Sequence, residues 1–534
     1  MREPTPGGRR VDAPPAASAI RGGPDAVPGS AAISRSELKE ATFKSLRWAT
    51  LARISAQILT VAAGVLLAHL VAPAEFGRVA VTIVVGELAL ALANQGAGSV
   101  LVQRRELRRA HVEATAMLAL AGGVLLSTAT LFLAPLVTTP LFGEQTTQLF
   151  KLLSPAFVIA AVGIVPLAML ERELDFRRIS IIEIATVAVS AASSVVYALL
   201  GLEAEAYVLG FITGLLAWAG LLVALGPAVR PRWRRREMRE VAAFGLPAGL
   251  ASMAMVGYGN VDYLILGARL SPAQVGFYYR AYTLGVQYET KISDIIQRVA
   301  FPVYSRTEDA EHMRAVRSRI VRINAAVIYP MLALFIAVAP ELVPWVFGER
   351  WEPAVLPAQI LAVAGMARMV NNGTPALLLA AGRPRALLAF NLCRLTVLAA
   401  AVMVAVPYGL VAVCIAVSSF QVITTVASYG LVLPRLVGIT LRRLALDVAP
   451  AIVASGIMLA VAVPVVGALT ASDLSSPVIV LFVSALSAPV YLLALRLTGP
   501  AAWADVLLLT RRMLPRLRRS RSRLPLESSS APSP

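Results

Sequence analysis

Four charged residues lie close together in an apolar part of the chain. The stretch 288–299 reads YETKISDIIQRV and contains Glu289, Lys291, Asp294 and Arg298. A charge in the bilayer core costs about 2.5–3.5 kcal/mol on insertion scales, so such charges face protein or water and often mark the path of a substrate or an ion. If this stretch spans a membrane, we therefore expect it to line a polar cavity.

The spacing of the polar residues predicts that they share one face of a helix. Separations of 7, 4, 3 and 4 residues bring side chains to the same side. Asp294 can pair with Lys291 and with Arg298, which leaves a net positive face suited to an anion, since guanidinium groups bind phosphate oxygens bidentately. A structural ion-pair network that locks the helix to a neighbour is the alternative. The predicted face consists of Arg280, Gln287, Lys291, Asp294 and Arg298.

Polar residues in other apolar runs are weaker candidates for the same cavity. Glu87 is a candidate counter-ion for Arg53, and Asp262 lies near the end of its run, where a solvated helix cap is the alternative. Asn371 and Asn372 are expected only to hydrogen-bond between helices. Asp294, Asp262 and Glu87 are the carboxylates that could couple transport to an ion. The further candidates are Arg53, Glu87, Asn94, Asn260, Asp262, Arg368 and Arg394.

The composition identifies the class of protein that holds these residues. Of 534 residues, 57% are hydrophobic and 15% charged, with a mean hydropathy of +0.72, which is typical of a polytopic helical membrane protein. The net charge of +18 comes from short basic segments between apolar runs, an arrangement that orients membrane helices rather than binding nucleic acid. Two cysteines in apolar runs and three distant histidines predict neither a disulfide framework nor a metal site, and no cofactor is expected.

Apolar runs of roughly 20 residues follow one another from residue 46, each long enough to cross a bilayer. They predict an all-α membrane protein with about 14 transmembrane helices. Residues 1–42 are expected to be a disordered cytoplasmic tail and 499–534 a basic cytoplasmic tail. The predicted spans are 46–70, 78–101, 112–135, 150–170, 180–201, 205–226, 243–266, 277–300, 322–345, 355–380, 385–406, 409–433, 446–468 and 476–497.

The distribution of arginine tests whether the charged stretch spans the membrane. With all the runs counted, the loops on one side hold 23 arginines, and those on the other side hold five basic residues. Removing the span 277–300 would move every later basic segment to the opposite side and destroy this alternation. The stretch is therefore predicted to span, with both termini in the cytoplasm.

Three sequence matches in the same order indicate an internal repeat. LAHLVAPAEFG (67–77) matches LGARLSPAQVG (266–276) at an offset of 199, and LAPLVTTPLFG (133–143) matches VAPELVPWVFG (338–348) at 205. SPA at 154–156 and LPA at 356–358 continue the series at 202. Six spans separate the equivalent segments, so the copies have the same orientation in the membrane.

The repeat predicts two parallel-related six-helix bundles with a central site between them. The N-terminal bundle is predicted over 43–226 and the C-terminal bundle over 243–435, joined by a basic cytoplasmic linker at 227–242. Two additional C-terminal helices are predicted within 436–498.

Three motifs carry a resemblance to a known family. They are APAEFG after the first span, NQGAGSVLVQR after the second, and NVDYLILGARLSPAQVGFYYRAY at the opening of the second half. Over about 43–435 the chain resembles the polysaccharide transporters, the Wzx-type flippases of the multidrug/oligosaccharidyl-lipid/polysaccharide (MOP) exporter superfamily. The predicted number of 14 helices exceeds the twelve of many family members and is similar to that of the lipid II flippase branch.

The resemblance implies a V-shaped, MATE-like fold in the bacterial plasma (inner) membrane. It implies alternating access that moves undecaprenyl-diphosphate-linked oligosaccharide from the inner to the outer leaflet, for lipopolysaccharide, exopolysaccharide or related surface polymers. The implied partners are this lipid-linked substrate, membrane lipid, and polysaccharide polymerase or export machinery, with no nucleic acid.

Two other functions are alternatives to a flippase. A multidrug/cation antiporter of the same superfamily would need an acidic or aromatic cavity, whereas the charges within the spans lean basic. A membrane polysaccharide polymerase or ligase would need an acid/base site, yet the loops on the less basic side are short. The sequence also lacks HExxH, GxSxG, a P-loop and an Asp-x-Asp pair. A transporter, not an enzyme, is therefore expected.

Overall fold

The computed structural model describes residues 54–104, 107–227, 229–287, 289–291, 310–380 and 384–513. These residues form helices joined by short turns, and eleven of the helical segments are long and apolar enough to cross a membrane. The predicted all-α membrane fold is thereby confirmed. The count of about 14 helices stays a prediction, because the spans 46–70 and 277–300 extend beyond the described residues.

The described part of the first half contains eight helices. They are α1 (Ile54–Leu70), α2 (Pro73–Gln103), α3 (Arg109–Phe132), α4 (Ala134–Phe142), α5 (Glu144–Leu153), α6 (Pro155–Arg172), α7 (Phe176–Leu199) and α8 (Ala204–Leu225). The short α4 and α5 stand between the predicted third and fourth spans. Gly143, with φ of +82°, separates them in a backbone conformation that glycine adopts at no steric cost.

The remaining described helices belong to the second half and the C-terminal addition. They are α9 (Arg235–Arg269), α10 (Pro272–Tyr282), α11 (Ala310–Phe347), α12 (Val355–Asn371), α13 (Thr374–Ala380), α14 (Pro384–Ala405), α15 (Leu410–Ala427), α16 (Leu433–Val437), α17 (Leu441–Thr470), α18 (Ser476–Thr498) and α19 (Pro500–Met513). Two π turns, Thr283–Gln287 and Ser428–Val432, follow α10 and α15. α9 begins within the predicted linker, and α19 lies within the predicted C-terminal tail.

A tight turn between α9 and α10 sets the angle between the first two helices of the second half. The Ser271 side chain accepts a hydrogen bond from the Gln274 backbone N–H, and the Gln274 side chain accepts one from the Ser271 N–H. Pro272 occupies the first helical position, where its missing N–H costs nothing. We call the side of the molecule at which α9 ends the far side, and the side at which it begins the basic side.

The starts of α2 and α10 cross at two equivalent glycines on the far side. A Cβ atom on Gly77 would lie 1.9 Å from the Pro272 carbonyl oxygen, and one on Gly276 would lie 1.8 Å from the Pro73 oxygen. The two backbones therefore touch reciprocally at positions that the 199-residue offset of the repeat relates. Only glycine permits so close an approach.

The three C-terminal helices are tied to α11. On the basic side, Arg322 of α11 forms ion pairs with Asp447 of α17 at 2.9 Å and with Asp505 of α19 at 3.0 Å. Towards the far side, Glu341 of α11 accepts hydrogen bonds from Thr470 and Ser476 at the ends of α17 and α18. These bonds hold all three helices against α11, α17 on both sides of the molecule, α19 on the basic side and α18 on the far side.

Candidate functional site

A cavity of about 340 Å³ lies between α9, α12 and the segment that continues α10. Four of the sequence-predicted residues line it together, although they come from three different helices: Asn260, Gln287, Lys291 and Arg368. The other lining residues are Met255, Val256, Gly259, Tyr282 and Thr290.

A π turn brings α10 and α12 together beside this cavity. A Cβ on Gly285 would lie 2.8 Å from the Ala362 backbone nitrogen, and one on Gly365 would lie 2.2 Å from the Gly285 oxygen. This contact allows Arg368, three residues beyond Gly365, to reach α10. A π turn also contains more residues than an α turn, so it rotates every residue that follows relative to those before it.

The two cations of the cavity differ in how they are held. The Arg368 guanidinium donates a 2.7 Å hydrogen bond to the hydroxyl of Tyr282, which fixes its position. Lys291 is exposed on the segment that continues α10, and its ammonium group carries three hydrogen-bond donors. A guanidinium and an ammonium that line one cavity suit an anion with several oxygens.

Neutral polar groups also line the cavity. Asn260 donates a 3.0 Å hydrogen bond from Nδ2 to the Val256 oxygen one turn earlier, which orients its amide. Gln287 and Thr290 add a second amide and a hydroxyl. Amides and hydroxyls both donate and accept hydrogen bonds, so they match a ligand rich in hydroxyl groups.

Glu289 was not predicted as a site residue, although it lies in the charged stretch. Its buried carboxylate accepts a 3.0 Å hydrogen bond from Asn372 and one of 3.3 Å from the Thr290 hydroxyl. Asn371 donates a 2.6 Å hydrogen bond to Thr425, which is the interhelical role expected for it. The Glu289–Asn372 bond ties the end of α12 to the segment that carries Lys291. Because 83 residues separate Glu289 from Asn372, the sequence alone does not predict this contact.

Arg280 lies away from the cavity, in a cage of aromatic rings. Its guanidinium carbon is 4.3 Å from the ring centre of Phe347, 4.7 Å from that of Trp351 and 5.1 Å from that of Phe76. Its Nη2 donates to the Gly64 oxygen at 3.4 Å. The prediction that Arg280 shares a face with Gln287 and Lys291 is therefore wrong, because the intervening π turn rotates the helix face.

Asp262 is buried rather than a solvated cap at the end of its helix. It accepts a 2.5 Å hydrogen bond from the Tyr278 hydroxyl and a 3.0 Å bond from the Tyr263 N–H. The cap alternative fails because α9 continues for seven residues, to Arg269. Asp262 thus joins α9 to α10 behind the cavity.

The remaining predicted residues are dispersed. Arg394 stacks over Tyr258 at 4.7 Å and donates to Gln421 at 3.3 Å, so it has partners that lie far from it in sequence. Glu87 is exposed on α2, and Asn94 lies in the same helix with its side chain outside the described residues. Arg53, Asp294 and Arg298 also fall outside the described residues, as do their predicted ion pairs.

Within the described ranges, no group of three or more His, Cys, Asp or Glu side chains is placed to hold a metal ion.

Comparison with known proteins identifies the relatives of this chain. A family described as polysaccharide biosynthesis protein matches residues 66–356, which is more than half of the chain. The lipopolysaccharide biosynthesis protein WzxC of Escherichia coli is 27% identical over 415 residues, covering 76% of this chain and 84% of that protein. The teichuronic acid biosynthesis protein TuaB of Bacillus subtilis is 27% identical over 303 residues, covering 54% of this chain and 61% of TuaB.

Solved structures support the fold. The lipid II flippase MurJ in an inward closed conformation superposes with a TM-score of 0.65 at 10% identity, covering 86% of this chain and 99% of MurJ. An inward-facing multidrug resistance transporter of the MATE family, from the MOP superfamily, gives a TM-score of 0.58 at 16% identity, covering 70% and 92%. At such identities these matches establish the fold alone, and they confirm the expected MOP-type architecture.

Proposed function

Because this chain belongs to the family of polysaccharide biosynthesis proteins, we propose that it is a flippase for lipid-linked oligosaccharides. It would move an undecaprenyl-diphosphate-linked oligosaccharide from the inner to the outer leaflet of a bacterial plasma membrane. The observation that carries the proposal is the cavity that unites Arg368 and Lys291 with amide and hydroxyl groups.

The charges of the cavity support an anionic headgroup as its ligand. A diphosphate has several oxygens that can each accept hydrogen bonds, and Arg368 and Lys291 both donate to such oxygens. Asn260, Gln287 and Thr290 are suited to the hydroxyl groups of the sugars. A cationic drug would instead be repelled by the two cations, which speaks against antiport of cations through this cavity.

The distribution of arginines supports an orientation for the transport. We place the basic side in the cytoplasm and the far side outside, with both chain termini cytoplasmic. The substrate would then enter from the basic side, occupy the cavity and leave after the α2–α10 crossing opens. Because transport changes the leaflet and not a covalent bond, the mechanism requires differential binding in two conformations and no acid/base chemistry.

Leaflet-resolved transport tests the proposal. A fluorescent polyprenyl-diphosphate oligosaccharide is reconstituted with the protein in vesicles, and the fraction in each leaflet is followed by quenching from outside. We expect transport by the wild type, with the mass of the probe unchanged, and a loss of about tenfold or more in Arg368→Ala and Lys291→Ala. A tenfold lower rate corresponds to a barrier to transport that is about 1.4 kcal/mol higher.

Arg496→Ala is the matched control, since it removes an exposed cation at the end of α18, away from the cavity. It should transport normally. An inactive wild type with several sugars tested would refute the flippase, and a probe of altered mass would indicate an enzyme. Full transport by both cavity variants would remove the cavity from the substrate path.

A further inference from the structure

The two halves of the chain meet along two seams that the internal repeat relates. At the first seam, α2 and α4 pack against α9 and α14; at the second, α1 packs against α10 and α11. At the first seam, a Cβ on Gly267 would lie 2.6 Å from a Val81 methyl carbon and 3.3 Å from the Phe142 ring. At an offset of 199, Gly267 corresponds to Ala68 and Val81 corresponds to Arg280. At an offset of 205, Phe142 corresponds to Phe347. Arg280 stacks on Phe347 at the second seam, so the repeat places equivalent residues together at both seams.

The second seam is filled by one large side chain. Trp351 is fully buried, donates a 3.0 Å hydrogen bond to the Ala68 oxygen and packs edge-on against Phe76 at 5.2 Å. At the first seam the position equivalent to Trp351, at an offset of 205, is occupied by Thr146. The same architecture therefore has much less side-chain volume at the first seam.

An apolar crevice of about 440 Å³ lies at the first seam. It is lined by Val85, Val137, Thr138, Leu141, Phe142, Leu264, Ile265, Ala268, Arg269 and Met403. At the second seam, the equivalents of Val85, Thr138 and Leu141 are Leu284, Val343 and Val346, which pack in one cluster around Trp351. The crevice is thus an asymmetry between two seams that the repeat would otherwise make alike.

The crevice has an exposed apolar wall and adjoins the polar cavity along α9. Val137 and Leu141 on its wall are 59% and 47% exposed. Asn260 of the cavity and Leu264 of the crevice are one turn apart on α9, a rise of about 6 Å. A molecule whose polar head lies beside Arg368 could therefore extend an apolar chain directly into the crevice.

We propose that the crevice holds the polyprenyl chain of the substrate while its headgroup occupies the polar cavity. This inference rests on the proposed flippase function. Bulk lipid is as apolar as a polyprenyl chain, so hydrophobicity alone does not select between them. The selection comes from tethering, because a bound headgroup gives its own chain a high effective concentration at the adjoining crevice.

Photo-crosslinking tests which chain occupies the crevice. A polyprenyl-diphosphate sugar with a diazirine on its prenyl chain is irradiated with the full-length protein in phosphatidylethanolamine and phosphatidylglycerol vesicles, and the labelled residues are identified by mass spectrometry. We expect labelling on α4, α9 and α14 around Leu141, Ile265 and Met403. Excess unlabelled polyprenyl-diphosphate sugar should abolish it, and excess phosphatidylglycerol should not.

If the prenyl chain of the substrate fills the crevice, substitutions there should affect substrates with long and short prenyl chains differently. Ile265→Trp places a large ring in the crevice, and Leu66→Trp makes the same change at the equivalent position of the second seam. We expect Ile265→Trp to lower transport of an undecaprenyl-linked probe about tenfold, or about 1.4 kcal/mol. Transport of a geranyl-linked probe should fall far less, and Leu66→Trp should leave both rates near those of the wild type. Ala268→Leu repeats the test with a smaller change, should the first variant not fold.

The outcomes separate this inference from the function on which it rests. Transport by the wild type with no effect of chain length in either crevice variant would overturn the crevice assignment and leave the flippase intact. Labelling on α1 and α11, or competition by phosphatidylglycerol, would also overturn it. Absence of transport by the wild type itself would refute the flippase first.

Discussion

At the scale of single residues, the contact between Arg368 and Tyr282 converts a flexible cation into a positioned one. We expect Arg368→Lys to lower transport about tenfold, since lysine keeps the charge but loses both the 2.7 Å bond and the bidentate geometry. Tyr282→Phe should raise the KM for the lipid-linked substrate by a smaller factor, because the charge remains but is held less firmly. Initial rates at several substrate concentrations measure both effects.

Tyr197→Phe is the matched control for this prediction. The Tyr197 hydroxyl also takes part in a side-chain hydrogen bond, of 3.3 Å with the Thr213 hydroxyl, but Tyr197 lies in α7 and does not line the cavity. It should keep the wild-type KM. Equal KM values for Tyr282→Phe and the wild type would show that the Tyr282 bond does not position Arg368 for the substrate.

The surroundings of Arg280 predict a structural effect rather than a binding effect. A guanidinium over desolvated aromatic rings is worth about 2 kcal/mol, and here three rings enclose it. We therefore expect Arg280→Ala to lower the midpoint of thermal unfolding, with little change in KM for molecules that remain folded. Arg496→Ala, at an exposed site, should leave the midpoint unchanged. An unchanged midpoint with a raised KM would instead return Arg280 to the substrate path.

At the scale of helices, the crossing of α2 and α10 depends on two glycines. We expect Gly77→Ala and Gly276→Ala each to destabilise the protein by about 1–3 kcal/mol, since a Cβ would collide with a carbonyl oxygen that belongs to rigid backbone. Gly122→Ala in α3 is the matched control, because a Cβ there has no neighbour within 4 Å. It should be neutral or stabilise by up to about 1 kcal/mol, as alanine favours a helix over glycine. Equal unfolding midpoints for all three variants would contradict the tight crossing.

The helices show what hydropathy can and cannot predict. Long apolar runs locate membrane helices because lipid demands that every backbone hydrogen bond be made within the segment. The repeat was visible because Pro73 and Gly77 recur as Pro272 and Gly276, and the crossing explains why both copies need them. The π turn at Thr283–Gln287 had no such signal, since it depends on Gly285 meeting α12 in three dimensions.

Only part of the cavity can be predicted from the sequence. Asn260, Gln287, Lys291 and Arg368 were predicted because polar residues in apolar spans stand out. Tyr282 and Glu289 were missed because their roles come from Arg368 and Asn372, which lie 86 and 83 residues further along the chain. Arg280 was misplaced for the opposite reason: its type and spacing fit the face, but the helix was not regular between it and Gln287.

At the scale of the whole molecule, the proposed exit on the far side requires that the contacts between the two halves separate there. Arg350, which follows α11, donates a hydrogen bond of 2.5 Å to the oxygen of His69 at the end of α1, and both residues are exposed. By contrast, Glu341 of α11 accepts a 2.6 Å hydrogen bond from Ser476 of α18. This contact does not join the two halves, because both helices lie C-terminal to the first half.

These two contacts predict opposite results when each is made permanent. In a Cys393→Ser background, which removes the exposed native thiol, His69→Cys with Arg350→Cys is joined by a short reducible cross-linker. We expect transport to stop and to return on reduction, because alternating access requires the halves to separate there. Glu341→Cys with Ser476→Cys, treated identically, should continue to transport. If the His69–Arg350 link left transport intact, the far side would not be the exit; if both links stopped it, the C-terminal helices would have to move against α11 during the cycle.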